Sequence, residues 1–146
     1  MHRRDVARLR RAQCEKNRPL CGRIPWLVTV GAAKAVHRAF TRPGCLVIVA
    51  SPSHRQSAEF VRKAAGMVRR LGIKPRGDGA NDISLELPNK SRIVGLPGVE
   101  GTVRGFSAVS MMLIDEASRV HDLMYQALRP MLARPVDPIF AVTTLG

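Results

Sequence analysis

No stretch of this 146-residue chain approaches the roughly 18 uninterrupted apolar residues of a membrane-spanning helix. The N-terminus, MHRRDVARLRR, is basic, but no apolar signal-peptide core follows it, which points away from export. Cysteine is scarce. Cys14, Cys21 and Cys45 have neither metal-finger spacing nor the even count of a disulfide framework, so a reducing cytoplasm is the default compartment. The four histidines (His2, His37, His54, His121) are scattered over unrelated segments, and no Ser/His/Asp or Cys/His set is evident. Internal repeats and low-complexity tracts are also missing. Negative charge is short as well: 24 Lys and Arg face 11 Asp and Glu, a formal net charge of +13. Most of that excess lies in residues 1–42, which hold 11 basic residues against 2 acidic ones. Such an excess raises non-specific attraction to nucleic acid. Arginine-rich composition also accompanies GC-rich coding, so the charge alone does not define a binding surface.

What is present suffices for one domain with a real core, and 45% of the residues are apolar. Residues 1–18 read as a basic helix or a partly disordered arm, in which Val6, Leu9 and Ala12 make only a thin apolar stripe. Pro19, Gly22 and Pro25 punctuate the next stretch. A helix is expected over Gly31–Thr41, with Ala32, Ala35, Val36 and Ala39 on its buried face. CLVIVA (45–50) is a continuous apolar run between Pro43-Gly44 and Ser51-Pro52, the pattern of a strand buried on both faces. Ser53 with Gln56 makes a capping box, and a helix follows with Ala58, Val61, Ala65, Val68 and Leu71 inward and Gly72 at its end. Ile83, Leu85 and Leu87 alternate with polar residues, and Arg92–Leu96 returns after the turn Pro88–Ser91, so a hairpin is expected. A glycine-dense loop, PGVEGTVRGFS (97–107), surrounds Arg104. A helix over His121–Leu132 and a strand over Ile139–Thr143 complete the chain. Buried strands alternating with helices argue an α/β fold: a largely parallel sheet covered by helices on both faces.

The chemistry concentrates in MMLIDEAS (111–118). Four apolar residues run into Asp115 and Glu116, which places two carboxylates at the C-terminal tip of a buried strand. In open α/β sheets ligands bind in the crevice at that end. One carboxylate there can hold Mg²⁺ through a water, and its neighbour can orient or deprotonate an attacking water. The plain alternative is a strand finishing in a solvated acidic turn. An NTPase of this design also needs a glycine-rich loop with a Lys for the β/γ-phosphates and a Ser or Thr for Mg²⁺. At the corresponding place the chain reads RIPWLVTV (23–30), in which only Thr29 has a suitable type.

The order SPSHRQSAEFVRK, LPNKSRIVGLPGVEGTVRGFS, MMLIDEASRVHDLMYQALRPML and AVTTLG resembles the ATPase domain of large terminase subunits, the DNA-packaging motors of tailed bacteriophages. The likeness covers about residues 31–146. It implies a P-loop NTPase-like fold of the additional-strand conserved-glutamate type, with ATP and Mg²⁺ as cofactors. By resemblance Asp115 is the Walker-B residue supporting Mg²⁺ and Glu116 the glutamate that activates water. Thr143-Thr144 fall where that family has its coupling motif, and Arg104 where an arginine reaches a neighbouring subunit's phosphates. The family's partners are double-stranded DNA, the terminase small subunit, the portal protein and further copies of itself in a ring. No membrane is involved, and the setting is the cytoplasm of a bacterial host.

Three departures shape the expectation. The phosphate loop lacks its Gly-Lys-Ser/Thr core, the chain stops within the coupling motif, and the family's nuclease domain is absent. Residues 1–30 are thus expected to be a basic arm with a degenerate phosphate-loop region. Residues 31–146 are expected to be a partial, incomplete ATPase domain encoded by a prophage and lacking activity. The alternative is a non-catalytic basic module that binds DNA or a motor partner.

Overall fold

A computed structural model describes residues 25–77, 79, 83–98, 106–119, 126–127, 129–132 and 139–142. Helix α1 spans Pro25–Thr41 and leads into strand β1, Leu46–Ser51. Helix α2 spans His54–Arg70, and strands β2 (Ser84–Glu86), β3 (Arg92–Pro97), β4 (Val109–Asp115) and β5 (Ile139–Val142) follow. The sheet order is β2-β3-β1-β4-β5. β1 pairs in parallel with β3 on one side and β4 on the other, and β4 pairs in parallel with β5. Only β2 is antiparallel, joined to β3 by the expected hairpin with Leu85 opposite Ile93.

The strands that read as continuous apolar runs are the central ones. All six residues of β1 and all seven of β4 are buried, as parallel strands covered on both faces must be. Their side chains alternate between two cores. Val47, Val49, Met111 and Leu113 pack beneath α1 and α2 with Phe60, Ala35 and Val68. Ile48, Ala50, Met112 and Ile114 face the other way, where Phe106, Ala117, Met131 and Leu132 cover them. The two long helices therefore share one face. The second face carries the short 3-10 helices Ala117–Arg119 and Arg129–Met131.

α2 follows the sequence closely at both ends. Ser53 is its N-cap, and its Oγ accepts from the Gln56 backbone N–H at 3.4 Å. At the other end Gly72 takes φ +78. Its N–H donates to Arg69 O at 2.9 Å, and the Ile73 N–H donates to Val68 O at 3.3 Å, a Schellman closure. The buried face is turned relative to the expected one. Ser57, Phe60 and Ala64 belong to it, whereas Leu71 is 61% exposed. Phe60 was the missed anchor, because its large ring draws the α2 face toward α1 and β4.

α1 departs further from expectation, since it begins at Pro25 rather than Gly31. Proline's fixed φ and missing N–H cost nothing at the first helical position. Gly31 does not break the helix but lets it approach: a methyl there would stand 3.1 Å from Phe60 Cε2 and 3.6 Å from Leu113 Cδ2. The helix expected over 121–132 lies mostly outside the described residues, which give helical turns at 126–127 and 129–131.

Gly95, in the middle of β3, is the tightest packing point among the described glycines. A Cβ there would meet Ile83 Cγ2 at 2.9 Å and Ser57 Cβ at 3.0 Å. Gly95→Ala is expected to destabilise the fold by about 1–3 kcal/mol through overpacking. Gly66→Ala, on α2 with nothing within 4 Å of the new methyl, is expected to gain up to about 1 kcal/mol from helix propensity. Equilibrium urea unfolding of the two variants checks both signs.

Candidate functional site

The C-terminal edge of the parallel strands holds Ser51, Asp115 and Glu116, three of the buried polar residues among those described. β4 ends on Asp115, 3% exposed, and Glu116 follows at 8%. Asp115 continues the Met111–Leu113 alternation, so it sits on the face that α1 and α2 cover. The register Ala50↔Ile114 brings Ser51, the last residue of β1, alongside Asp115. Ser51 is fully buried, and its Oγ has no hydrogen-bond partner. The sequence reading passed over this serine because the motif SP after CLVIVA signals only a strand end. The tips of β1 and β3 also close on each other: a Cβ on Gly98 would lie 3.2 Å from Pro52 O.

Glu116 is held in an unusual state. Its φ is +50, in the left-handed region that a non-glycine residue enters at a cost. Its Oε2 is buried without a hydrogen bond. Among the described residues, Arg119 Nη1 lies 3.7 Å from this oxygen, on the following 3-10 helix and itself largely exposed. That separation gives attraction without the directed bond that would satisfy a buried carboxylate oxygen. A buried carboxylate with one oxygen unsatisfied, on a strained backbone, fits a position meant to meet a further group. A plain acidic turn would leave both oxygens in water.

The sheet directs α1 toward this edge. Arg38, near the C-terminal end of α1, donates from Nη2 to Ser110 O at 2.7 Å, at the start of β4. Gly31, a turn and a half from the N-terminal end, lies against Leu113 near the end of β4. α1 therefore runs antiparallel to β4, with its N-terminal end toward Asp115. A helix N-terminus at that place is favourable for anions. Residues 25–30, PWLVTV, are helix, and Thr29 is an exposed side chain on its second turn rather than a hydroxyl at the helix opening. No group of three or more His, Cys, Asp or Glu side chains able to hold a metal occurs among the described residues. Asp115 and Glu116 are carboxylates of the kind that could hold Mg²⁺, and residues 25–30 contain neither a glycine nor a lysine.

Arg104, Thr143 and Thr144 lie outside the described residues. The register Asp115↔Val142 does bring the end of β5 beside the end of β4.

No protein-family model matches the chain, and no curated protein does. Solved structures do. The ATPase domain of the large terminase of a Thermus phage superposes with a TM-score of 0.68 at 17% identity, covering 80% of this chain and 54% of that one. The large terminase of a thermophilic bacteriophage gives 0.60 at 9% identity over 75% of this chain and 29% of its own. The large terminase of bacteriophage HK97 gives 0.55 at 19% over 68% and 22%. The chain thus has the fold of a large-terminase ATPase domain, a P-loop NTPase-like α/β sheet, and spans about half the length of the first of these structures. No helix among the described residues is long and apolar enough to cross a membrane.

The state of Glu116 has a measurable consequence. Glu116→Gly removes both the left-handed strain and the unsatisfied buried carboxylate. Against the extra freedom that glycine gives the unfolded chain, the variant is expected to be more stable by about 1 kcal/mol. Chemical denaturation at neutral pH measures it. A loss of stability would mean that the contact with Arg119 outweighs strain and desolvation together.

Proposed function

We propose that this chain derives from the ATPase domain of a phage large terminase and keeps the Mg²⁺-facing carboxylates of that site without its phosphate cradle. In this reading Asp115 is the Walker-B residue that supports Mg²⁺ through a water, and Glu116 is the base that orients the attacking water. Ser51, buried beside Asp115, supplies a hydroxyl to the same edge. ATP–Mg²⁺ is the cofactor of the lineage, with double-stranded DNA as its substrate. The small subunit, the portal protein and a ring of copies are its partners, in the cytoplasm of a prophage-carrying bacterium. Arg104 and the Thr143-Thr144 pair take the roles of phosphate-reaching arginine and coupling motif.

The observation that carries the reading is the pairing of a strained, buried Glu116 with Asp115 at the end of a central parallel strand, on the fold of these ATPase domains. The same site argues against turnover. Backbone N–H groups and a lysine do most of the electrostatic work on transferring phosphates. Pro25 and Trp26 open α1 where that loop ends in an active enzyme. Proline offers no N–H, and no Lys stands within the first nine helical residues. The chain therefore lacks ATPase activity of its own.

A second reading follows from the charge: a basic, non-catalytic module that binds duplex DNA. The +13 net charge supports it. So do Arg55, Arg62, Arg69 and Arg70, all exposed on α2.

Titration calorimetry with ATP–Mg²⁺ on the purified chain tests the first reading, with Glu116→Gln in parallel. The expected result is no binding at micromolar nucleotide and no phosphate release from either protein. Micromolar binding, together with hydrolysis that Glu116→Gln abolishes, would restore the motor. For the second reading, duplex DNA binding is expected to weaken steeply between about 50 and 200 mM salt, with no effect of nucleotide.

A further inference from the structure

Helix α1 has two apolar faces, and the sheet uses only one. Val28, Ala32, Ala35, Val36 and Ala39 are buried against the core. On the opposite side Trp26, Val30, Ala33, His37 and Phe40 recur at alternating spacings of four and three, and all five are exposed. At 3.6 residues per turn they fall within an arc of about 80°. Trp26, Val30 and Phe40 are 60%, 47% and 52% exposed, three of the four large apolar side chains left in water among the described residues. Single exposed apolar residues are ordinary on a protein surface, but a four-turn row at the spacing of a helix-pairing seam is not.

Charge decides what can cover the row. α1 carries Lys34 and Arg38 and no acidic residue. α2, packed beside it, carries five Lys or Arg against the single Glu59, which already pairs with Lys63 at 3.7 Å. The row is therefore set in a cationic helical layer. Two occupants close at hand are disfavoured by like charge. Residues 1–24 hold eight Lys or Arg against two acidic residues. A second copy would bring an identical basic α1. We propose that the Trp26–Phe40 face of α1 is a docking surface for an amphipathic helix of a partner protein whose apolar stripe is flanked by Asp and Glu. Apolar side chains would supply the contact area, while the flanking carboxylates would set orientation and choice of partner. The inference needs neither nucleotide binding nor the terminase lineage.

Trp26 is the sole tryptophan of the chain and reports directly on this surface. The full-length chain is titrated with a synthetic helical peptide of about three heptads, with Leu at the seam positions and Glu beside them. A matched peptide carries Lys in place of each Glu. The Glu peptide is expected to shift Trp26 emission to the blue and to bind at least about tenfold more tightly than the Lys peptide, with the difference shrinking as salt rises. A Val30→Ser, Phe40→Ser double variant, both changes being at exposed positions, is expected to keep its circular dichroism and lose the binding. Equal binding of both peptides, or binding of neither, overturns the proposal. A blue shift that grows with the chain's own concentration without peptide overturns it in favour of a second copy. An emission already blue-shifted and shielded from acrylamide in the free monomer overturns it in favour of the chain's own N-terminal residues.

Discussion

The structure depends on β1 lying between β3 and β4 in parallel register, with every residue of β1 buried. A parallel strand buried on both faces commits everything around it. Its neighbours must be nearly as apolar, and its crossovers must be helices that cover one face. Any charged group must wait until the strand ends. The two cores form because residues of β1 and β4 alternate between faces at the same levels, Val47 and Met111 on one side and Ile48 and Met112 on the other. Since β4 is buried from Val109 to Asp115, the first carboxylate has one permitted place, the strand's tip. The location of the candidate site is thus a consequence of packing.

At that tip stability and chemistry pull in opposite directions. Glu116 occupies a left-handed backbone position, with one carboxylate oxygen buried and without a hydrogen bond. A residue chosen for folding alone would be a glycine or an asparagine. Strain of this kind persists only where the surrounding structure over-determines it, and β4 and the Ala117–Arg119 turn do so here. Ser51 repeats the pattern one strand away, with a buried hydroxyl that forgoes a partner. Against this stands α1, whose opening residues are an unbroken helix where a phosphate-binding loop would need glycines. In the proposed reading, the site keeps the half of its chemistry that the sheet positions.

The sequence by itself determined the elements whose signals are local. The run CLVIVA and the run ending in Asp115 read as buried strands because apolar stretches between turn signals have few other uses. The capping box at Ser53 and the glycine at 72 marked both ends of α2, and alternation at Ile83, Leu85 and Leu87 marked the hairpin. Asp115 and Glu116 stood out for the same reason, two carboxylates at the end of an apolar run. Tertiary structure decided the rest. The start of α1 moved six residues upstream because Pro25 and Gly31 look like breaks, whereas one is harmless at a helix opening and the other is required by the approach of Phe60. Phe60 itself joined the core although the apolar stripe of α2 was legible without it, since only the position of α1 fixes which side of α2 is inward. Ser51 became part of the site through the register between β1 and β4, which no spacing along the chain encodes. The second apolar face of α1 likewise emerged only when the sheet had claimed the first, because periodicity shows that a face is apolar while neighbours alone decide whether it is covered.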